Sequence, residues 1–291
     1  MNRGSRRWSL RTLAALALAA LAAGCGTWPS SGERIVDLRS GRTITRSELI
    51  GAMRASDVVL LGERHDNVHH HAARGALIEA LGARTAVVAE HLPRGRRVQF
   101  GPDLLVSLEA AGFEPKAWRW PLHEALFADV ARAGVPLVGG NLPRDVVRRI
   151  AREGEAAWPE ELAALLARAP LDDQAQAALD ADLLAGHCGH LSPQRLPGMR
   201  AAQRARDASM FAALRDADAA PAILLAGNGH VRLDYGVGQL LAALRPQARV
   251  LSVGFLEAGE RVEPGLYTHA WIAPPAERGD PCAGFAMPPR R

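Results

Sequence analysis

The sequence predicts an α/β fold: a mostly parallel sheet with helices on both faces and a helical insertion or cap. Three observations lead there. Short, purely apolar β-type runs recur along the chain, longer stretches of helical periodicity separate them, and polar or ionisable groups follow directly after several of the runs. Runs without polar alternation belong to strands buried on both faces. Their alternation with helices argues for parallel crossovers.

In chain order, IVDLRSGRTIT (35–45) reads as an early hairpin beside Gly41, and VVLLG (58–62) is the first buried strand. A helix follows over about 69–82, then the strand AVVAE (86–90). Helical spacing returns at 121–134, leads into the strand VPLVGGN (135–141), and resumes at 143–153. The stretches 159–185 and 193–218 are helical with no strand between them, as expected of an insertion or cap over the sheet. AILLAG (222–227) and VLSVGFL (250–256) complete the strands. There is no heptad array or solenoid period, so one domain is expected over 35–273.

The apolar fraction of 48% is ordinary for a chain that builds a sizeable core. Lys and Arg total 35 against 31 Asp and Glu. Arg3, Arg6, Arg7 and Arg11 account for the difference, and no acidic residue precedes Glu33. The body is therefore neutral, which argues against nucleic acid as a partner. The excess charge belongs to MNRGSRRWSLRTLAALALAALAAGC, a cationic start with a short Ala/Leu run and small residues before a cysteine. The run is too short and too weakly apolar for a transmembrane helix. Residues 1–24 are thus expected to be a signal peptide. Leu21-Ala22-Ala23-Gly24-Cys25 resembles a bacterial lipobox, with Cys25 the lipidated residue and a membrane anchor. Gly26, which is not the Asp linked to inner-membrane retention, points to the outer membrane. SRRWSLR also resembles a twin-arginine export signal, with Ser9 where an apolar residue is preferred. Residues 25–34 form the tether, and the Pro/Gly-rich stretch 274–291 is an irregular tail.

With Cys25 lipidated, Cys188 and Cys282 remain, and two cysteines in an oxidising compartment suggest a disulfide. Closing so long a loop would stabilise the fold by about 4 kcal/mol in the chain-entropy model. Cys188 stands between His187 and His190, so a metal ligand is the competing reading.

Ligands of open parallel sheets bind beyond the carboxyl ends of the strands. Four strand ends deliver Gly62-Glu63-Arg64-His65, Glu90-His91, Asn141-Leu142-Pro143-Arg144 and Gly227-Asn228-Gly229-His230. Two of these are G-x-x-H, in which glycine turns the chain sharply and the histidine points back over the sheet. GERHDNVHHH (62–71) alone holds four histidines and two carboxylates. Asp66 or Asn67 is the expected N-cap of the following helix. In that helix His70 stacks over Leu77 and Leu81 and His71 over Ile78, which suits packed rings as well as ligands, and His69 lies to one side. His123 and Glu124 fit a helix start, and His91 faces away from Glu90 if its strand persists. Two imidazoles with Glu63 or Glu90 suit an open divalent site formed by Glu63, His65, Glu90 and His230. Glu63 and His65 equally suit a carboxylate-oriented general base. No G-x-S-x-G elbow, H-E-x-x-H or Walker loop is present, and Gly227-x-Gly229 is not a dinucleotide fingerprint.

The segments VVLLGERHDNVHHHAARGALIEAL, AVVAEHLPR, AWRWPLHEALFADVARAGVPLVGGNLPRDVV and AILLAGNGHVRLDYGVGQLL resemble the ChaN-like haem-binding lipoproteins, of a superfamily shared with Tiki/TraB proteins and erythromycin esterases. The resemblance spans about residues 55–243. It implies an α/β fold, haem as cofactor, a role in haem or iron uptake with envelope uptake components as partners, and leaves open a homo-oligomer around haem. In the enzyme branches the matching positions, Glu63, His65, Glu90 and His230, are catalytic or metal-binding, which makes a hydrolase the alternative. A phenolate ligand to haem iron would fall on Tyr235, one of only two tyrosines. The family's aromatic segment often carries a Tyr near Pro121, where this chain has Trp118-Arg119-Trp120-Pro121. A histidine from His65, His69, His70, His71 or His230 is then the substitute ligand, with Arg64 and Arg144 for the propionates and Asn141 on the same rim.

Overall fold

The computed structural model describes residues 32–261, 263–280 and 282–283. The expected signal peptide, Cys25 and most of the expected tether lie outside these residues, as does the end of the expected tail. Among the described residues no helix is long and apolar enough to cross a membrane.

Eight strands form one sheet in the order β2-β1-β8-β7-β3-β6-β4-β5. They are β1 (Arg34–Asp37), β2 (Thr43–Ile44), β3 (Val58–Leu61), β4 (Ala86–Pro93), β5 (Leu137–Asn141), β6 (Ala222–Leu225), β7 (Val250–Glu257) and β8 (His269–Ala273). From β8 through β5 every pairing is parallel, while β1 runs antiparallel to both β2 and β8. The fold is thus the mostly parallel α/β sheet that the alternation of runs predicts. The interior strand β8, between β1 and β7, is not among the expected strands.

Strand periodicity divides the core in two. Val59, Leu61, Val87, Ala89, Ile223 and Leu225 face one side, packed with α1 (Arg46–Arg54), α2 (Val68–Leu81), α3 (Leu104–Ala110) and α4 (Glu124–Arg132). Val58, Leu60, Val88, Ala222 and Leu224 face the other, packed with α5 (Arg144–Glu153), α6 (Glu160–Ala167), α8 (Leu196–Asp216) and α9 (Val237–Leu244). Residues buried on alternate sides explain why these strands read as continuous apolar runs. The expected cap over 159–218 is α6, α7 (Asp173–Gly186) and α8. Of these, α8 lies directly on the sheet, where the Ser209 hydroxyl donates to the Gly140 carbonyl (2.8 Å).

Asn67, rather than Asp66, caps α2 by accepting from the His69 and His70 N–H groups (2.9 and 3.3 Å). Asp66 instead pairs with Arg278 of the tail (2.7 Å), which also binds Glu257. A disulfide joins Cys188 and Cys282, with Cα atoms 5.7 Å apart. Tail and body are therefore linked twice within the described residues.

The turn after β3 needs glycine for space. A Cβ at Gly62 would lie 2.1 Å from Asn228 Oδ1 and 2.9 Å from Val231 Cγ2. Asn228 is held by Phe255, donating to its carbonyl (2.6 Å) and accepting its N–H (3.0 Å), so it has nowhere to go. Gly62→Ala is expected to destabilise the fold by about 2–4 kcal/mol. Gly51→Ala, in open space on α1, should stabilise by about 0.5–1 kcal/mol. Denaturant unfolding of the two variants checks the contrast, and equal effects would contradict it.

Candidate functional site

The carboxyl ends of β3, β4 and β6 lie side by side, because β6 runs between β3 and β4. The chain leaves β3 through Gly62-Glu63 and β6 through Gly227, and a cavity of about 1340 Å³ opens over them. This exceeds the usual ~300–1,000 Å³ of small-ligand pockets. Trp118, Leu142, Val147, Leu179, Leu183 and Leu256 supply apolar wall. Glu63, His65, Glu90, Asn141, His230 and Tyr235 supply polar groups.

The polar groups form two imidazole–carboxylate pairs. In the first, the fully buried Glu63 binds His65 Nδ1 through Oε1 at 2.5 Å, while the His65 side chain stays half-exposed. That bond uses the inner ring nitrogen and leaves Nε2 as the outer one. Glu63 Oε2 pairs with the guanidinium of Arg74, which has no exposure either. His71, His91 and His123 close around the same carboxylate, with ring nitrogens 3.1, 3.5 and 3.5 Å away and no exposed side-chain surface. Burial pushes all three imidazoles down, His71 to about 4 and His91 well below its ordinary value, and the neighbouring positive groups add to the effect at His91 and His123. Burial also lowers Arg74, to about 9.

In the second pair, the buried Asp207 of α8 binds His230 Nδ1 at 2.6 Å. Burial raises the Asp207 carboxyl against the pull of His230, Arg204 and Arg206. Beside it stands Glu90, which accepts the Gly227 N–H (2.7 Å), pairs with Arg206 and lies 3.6 Å from His230 Nε2. Burial alone would push Glu90 up, but His230, Arg206 and His65 outweigh it and hold it below the ordinary carboxylate range. Asn141 supports this side, donating to the Glu90 carbonyl (2.9 Å) and accepting from Arg206 (3.1 Å).

The rim residues Glu63, His65, Glu90, Asn141, His230 and Tyr235 therefore converge on one cavity, but in a different grouping from the one expected. Among the described residues, the group of His, Cys, Asp or Glu with ligand atoms all within 4.8 Å of one another is Glu63, His71 and His123. Glu63 and His65 do not form such a group with Glu90 and His230. His69 is exposed and does not line the cavity. His70 is buried behind it, accepting the Arg64 N–H at 3.0 Å with its ring against Phe255. Arg64 pairs with Glu260 and Arg144 with Glu114, so both have carboxylate partners. Arg119, Arg148 and Arg261 also line the cavity, and they have no ion pair among the described residues. Tyr235 is buried, its hydroxyl donating to Asp182 (2.5 Å) and its ring covered by the Arg232 guanidinium (4.4 Å). Burial and the bond to Asp182 raise its pKa, which disfavours the phenolate.

Arg74, His91, His123, Arg206 and Asp207 are not among the expected site residues, and His71, a candidate haem ligand by the resemblance, is buried against Glu63 instead. A signal for Arg74 was present: it shares the apolar stripe of α2 with His70, Leu77 and Ile78, and an arginine on a buried stripe demands a buried anion. His91 faces away from Glu90, as the strand predicts, and that orientation is what brings it to Glu63.

The fold and site define an α/β protein with a large carboxyl-edge cavity built on two imidazole–carboxylate pairs. Residues 49–241 of the 291 match the family described as haem-binding uptake, Tiki superfamily, ChaN, and the chain belongs to that family. The structure is similar to that of ChaN of Campylobacter jejuni, solved with cofacial heme binding, at 17% identity and a TM-score of 0.69, covering 82% of this chain and 96% of that one. This likeness establishes the shared fold. An erythromycin esterase mutant, EreC, in its open conformation (16% identity, TM-score 0.40, 84% and 83% covered) and the type III effector HopBA1 (13%, 0.39, 78% and 91%) are more distant. No curated protein sequence matches.

The buried histidines make stability pH-dependent. His70 and His71 are both pushed down to about 4, from an ordinary 6.5, chiefly by burial. Between these values the unfolded chain takes up protons that the folded chain refuses. Stability is therefore full above pH 6.5 and falls as pH drops toward 4, by up to about 1.4 kcal/mol per pH unit for each ring. The denaturation midpoint at pH 5 is expected well below that at pH 7, and equal midpoints would mean the rings are protonated in place.

Proposed function

We propose that this chain is a cell-envelope lipoprotein, anchored through Cys25, that binds haem in the carboxyl-edge cavity for haem or iron uptake. Family membership supports haem as the ligand, and ChaN of Campylobacter jejuni is described by its cofacial heme binding. The observation that carries the assignment to this cavity is the Glu63–His65 pair. The residues present fit the group: a half-exposed imidazole with its inner nitrogen fixed by a buried carboxylate, apolar walls, and three arginines without carboxylate partners among the described residues. His65 would offer Nε2 to iron, and Glu63 would fix the ring's orientation. Arg119, Arg148 and Arg261, rather than Arg64 and Arg144, are the residues free to pair with propionates. Tyr235, protonated and bonded to Asp182, would serve as wall and not as ligand.

Titration of the haem-free protein with hemin tests this. A saturable Soret shift is expected in the wild type and in Tyr235→Phe, with loss in His65→Ala and affinity weakened about 10–100-fold in Glu63→Gln. A shift lost in Tyr235→Phe but kept in His65→Ala would overturn the ligand assignment, and no shift in the wild type would overturn the haem reading. Cys25→Ser should move the protein out of the membrane fraction. Continued membrane association would sink the anchor.

Two imidazole–carboxylate pairs over one cavity also suit acid–base hydrolysis. That alternative requires turnover that is lost in His65→Ala without haem present.

A further inference from the structure

The interior side of the first pair holds an arrangement that neither haem binding nor folding requires. His71 Nε2 lies 3.2 Å from the His65 carbonyl, and His123 Nδ1 lies 3.1 Å from the Trp118 carbonyl. A carbonyl only accepts, so each of these nitrogens carries the proton, and the opposite nitrogen of each ring carries a lone pair. Both lone pairs point at Glu63: His71 Nδ1 is 3.1 Å from Oε2 and His123 Nε2 is 3.5 Å from Oε1. The three ligand atoms lie within 4.8 Å of one another, with no exposed side-chain surface on any of the residues. His123 Nε2 has no hydrogen-bond partner in this interior. Lone pairs converging on a carboxylate repel one another unless something electropositive stands between them.

Arg74 meets part of the need, reaching Glu63 Oε2 and lying 3.0 Å from His71 Nδ1. His123 Nε2 is not reached by it, and Oε1 takes only the His65 Nδ1 proton. We propose that Glu63, His71 and His123 form a binding site for a divalent first-row transition-metal ion. Two imidazoles and one carboxylate select such ions over calcium and magnesium, which prefer all-oxygen sites. Histidine N–H groups fixed on backbone carbonyls are the outer-shell arrangement that aims imidazoles at a metal. Arg74 competes with the ion for the same carboxylate and so holds its affinity down.

The probe is Co²⁺, added to metal-free and haem-free protein and followed by its visible ligand-field absorption. One Co²⁺ per chain is expected, displaced by Zn²⁺ and weakened at least ~10-fold in His123→Ala and in His71→Ala. Arg74→Met, which removes the competing charge, is expected to tighten Co²⁺ by ~10-fold or more. If the variants do not fold, the wild-type titration still decides, by whether Co²⁺ saturates at one ion per chain with the absorption of a nitrogen-ligated site. No saturable binding in either the wild type or Arg74→Met overturns the proposal, as does unchanged affinity in both histidine variants. Hemin titration of the wild type reads the haem assignment separately, so either can fail alone.

Discussion

The site depends on one buried ion pair, Glu63 with Arg74. An ionised carboxylate with no exposure costs several kcal/mol unless it is paired and hydrogen-bonded. Arg74 and the His65 ring nitrogen supply that pairing, and three buried imidazoles close the space around it. The turn after β3 delivers Glu63, and the register of α2 brings His71 and Arg74 to it together. His91 arrives from β4 and His123 from the start of α4. With the carboxylate locked from within, its remaining oxygen fixes His65 at the cavity edge. A half-exposed ring is thereby oriented by groups that water does not reach.

The sheet works as a partition between the two carboxylate centres. Glu90 and His91 are neighbours on β4, yet they serve opposite sides: His91 packs among Trp118, His123 and Phe127, and Glu90 joins Arg206 and Gly227. The two centres approach each other only at the strand ends, where the missing side chain of Gly227 leaves room for His65. A Cβ there would sit 3.0 Å from His65 Nε2 and 3.7 Å from Glu90 Oε2. The cavity floor is therefore continuous across both faces of the sheet.

Much of this was legible in the sequence. Uninterrupted apolar runs gave the buried strands, and the groups after them gave the rim. The strand β8 escaped because HAWIA is short and Trp-centred, lying between β7 and an antiparallel β1, with no helix among the described residues of the turn segment that joins it to β7. The short helices α1, α3 and α9 also escaped, offering too few turns for their periodicity to stand out. Within the site, the first G-x-x-H holds both His65 and its carboxylate Glu63, whereas the partner of His230, Asp207, comes from a different element. Asp207 sits mid-helix on α8 and His123 at a helix start, and pattern alone gives neither a reason to be buried. Burial of a polar residue is a tertiary fact, visible in sequence only where it breaks an apolar stripe, as Arg74 does.

The disulfide lies immediately beyond α7, whose residues Leu179, Asp182, Leu183 and Gly186 wall the cavity. Its other half belongs to the tail, and four residues earlier in that tail Arg278 is clamped to Asp66 and Glu257, beside the root of α2 and the end of β7. The tail is thus a strap running from one lip of the cleft to the other, covalent at one end and ionic at the other. In an oxidising compartment the strap limits how far α7 can swing outward. Under reducing conditions only the ionic end would hold, and the segment beyond α7 would lose its covalent tie to the tail.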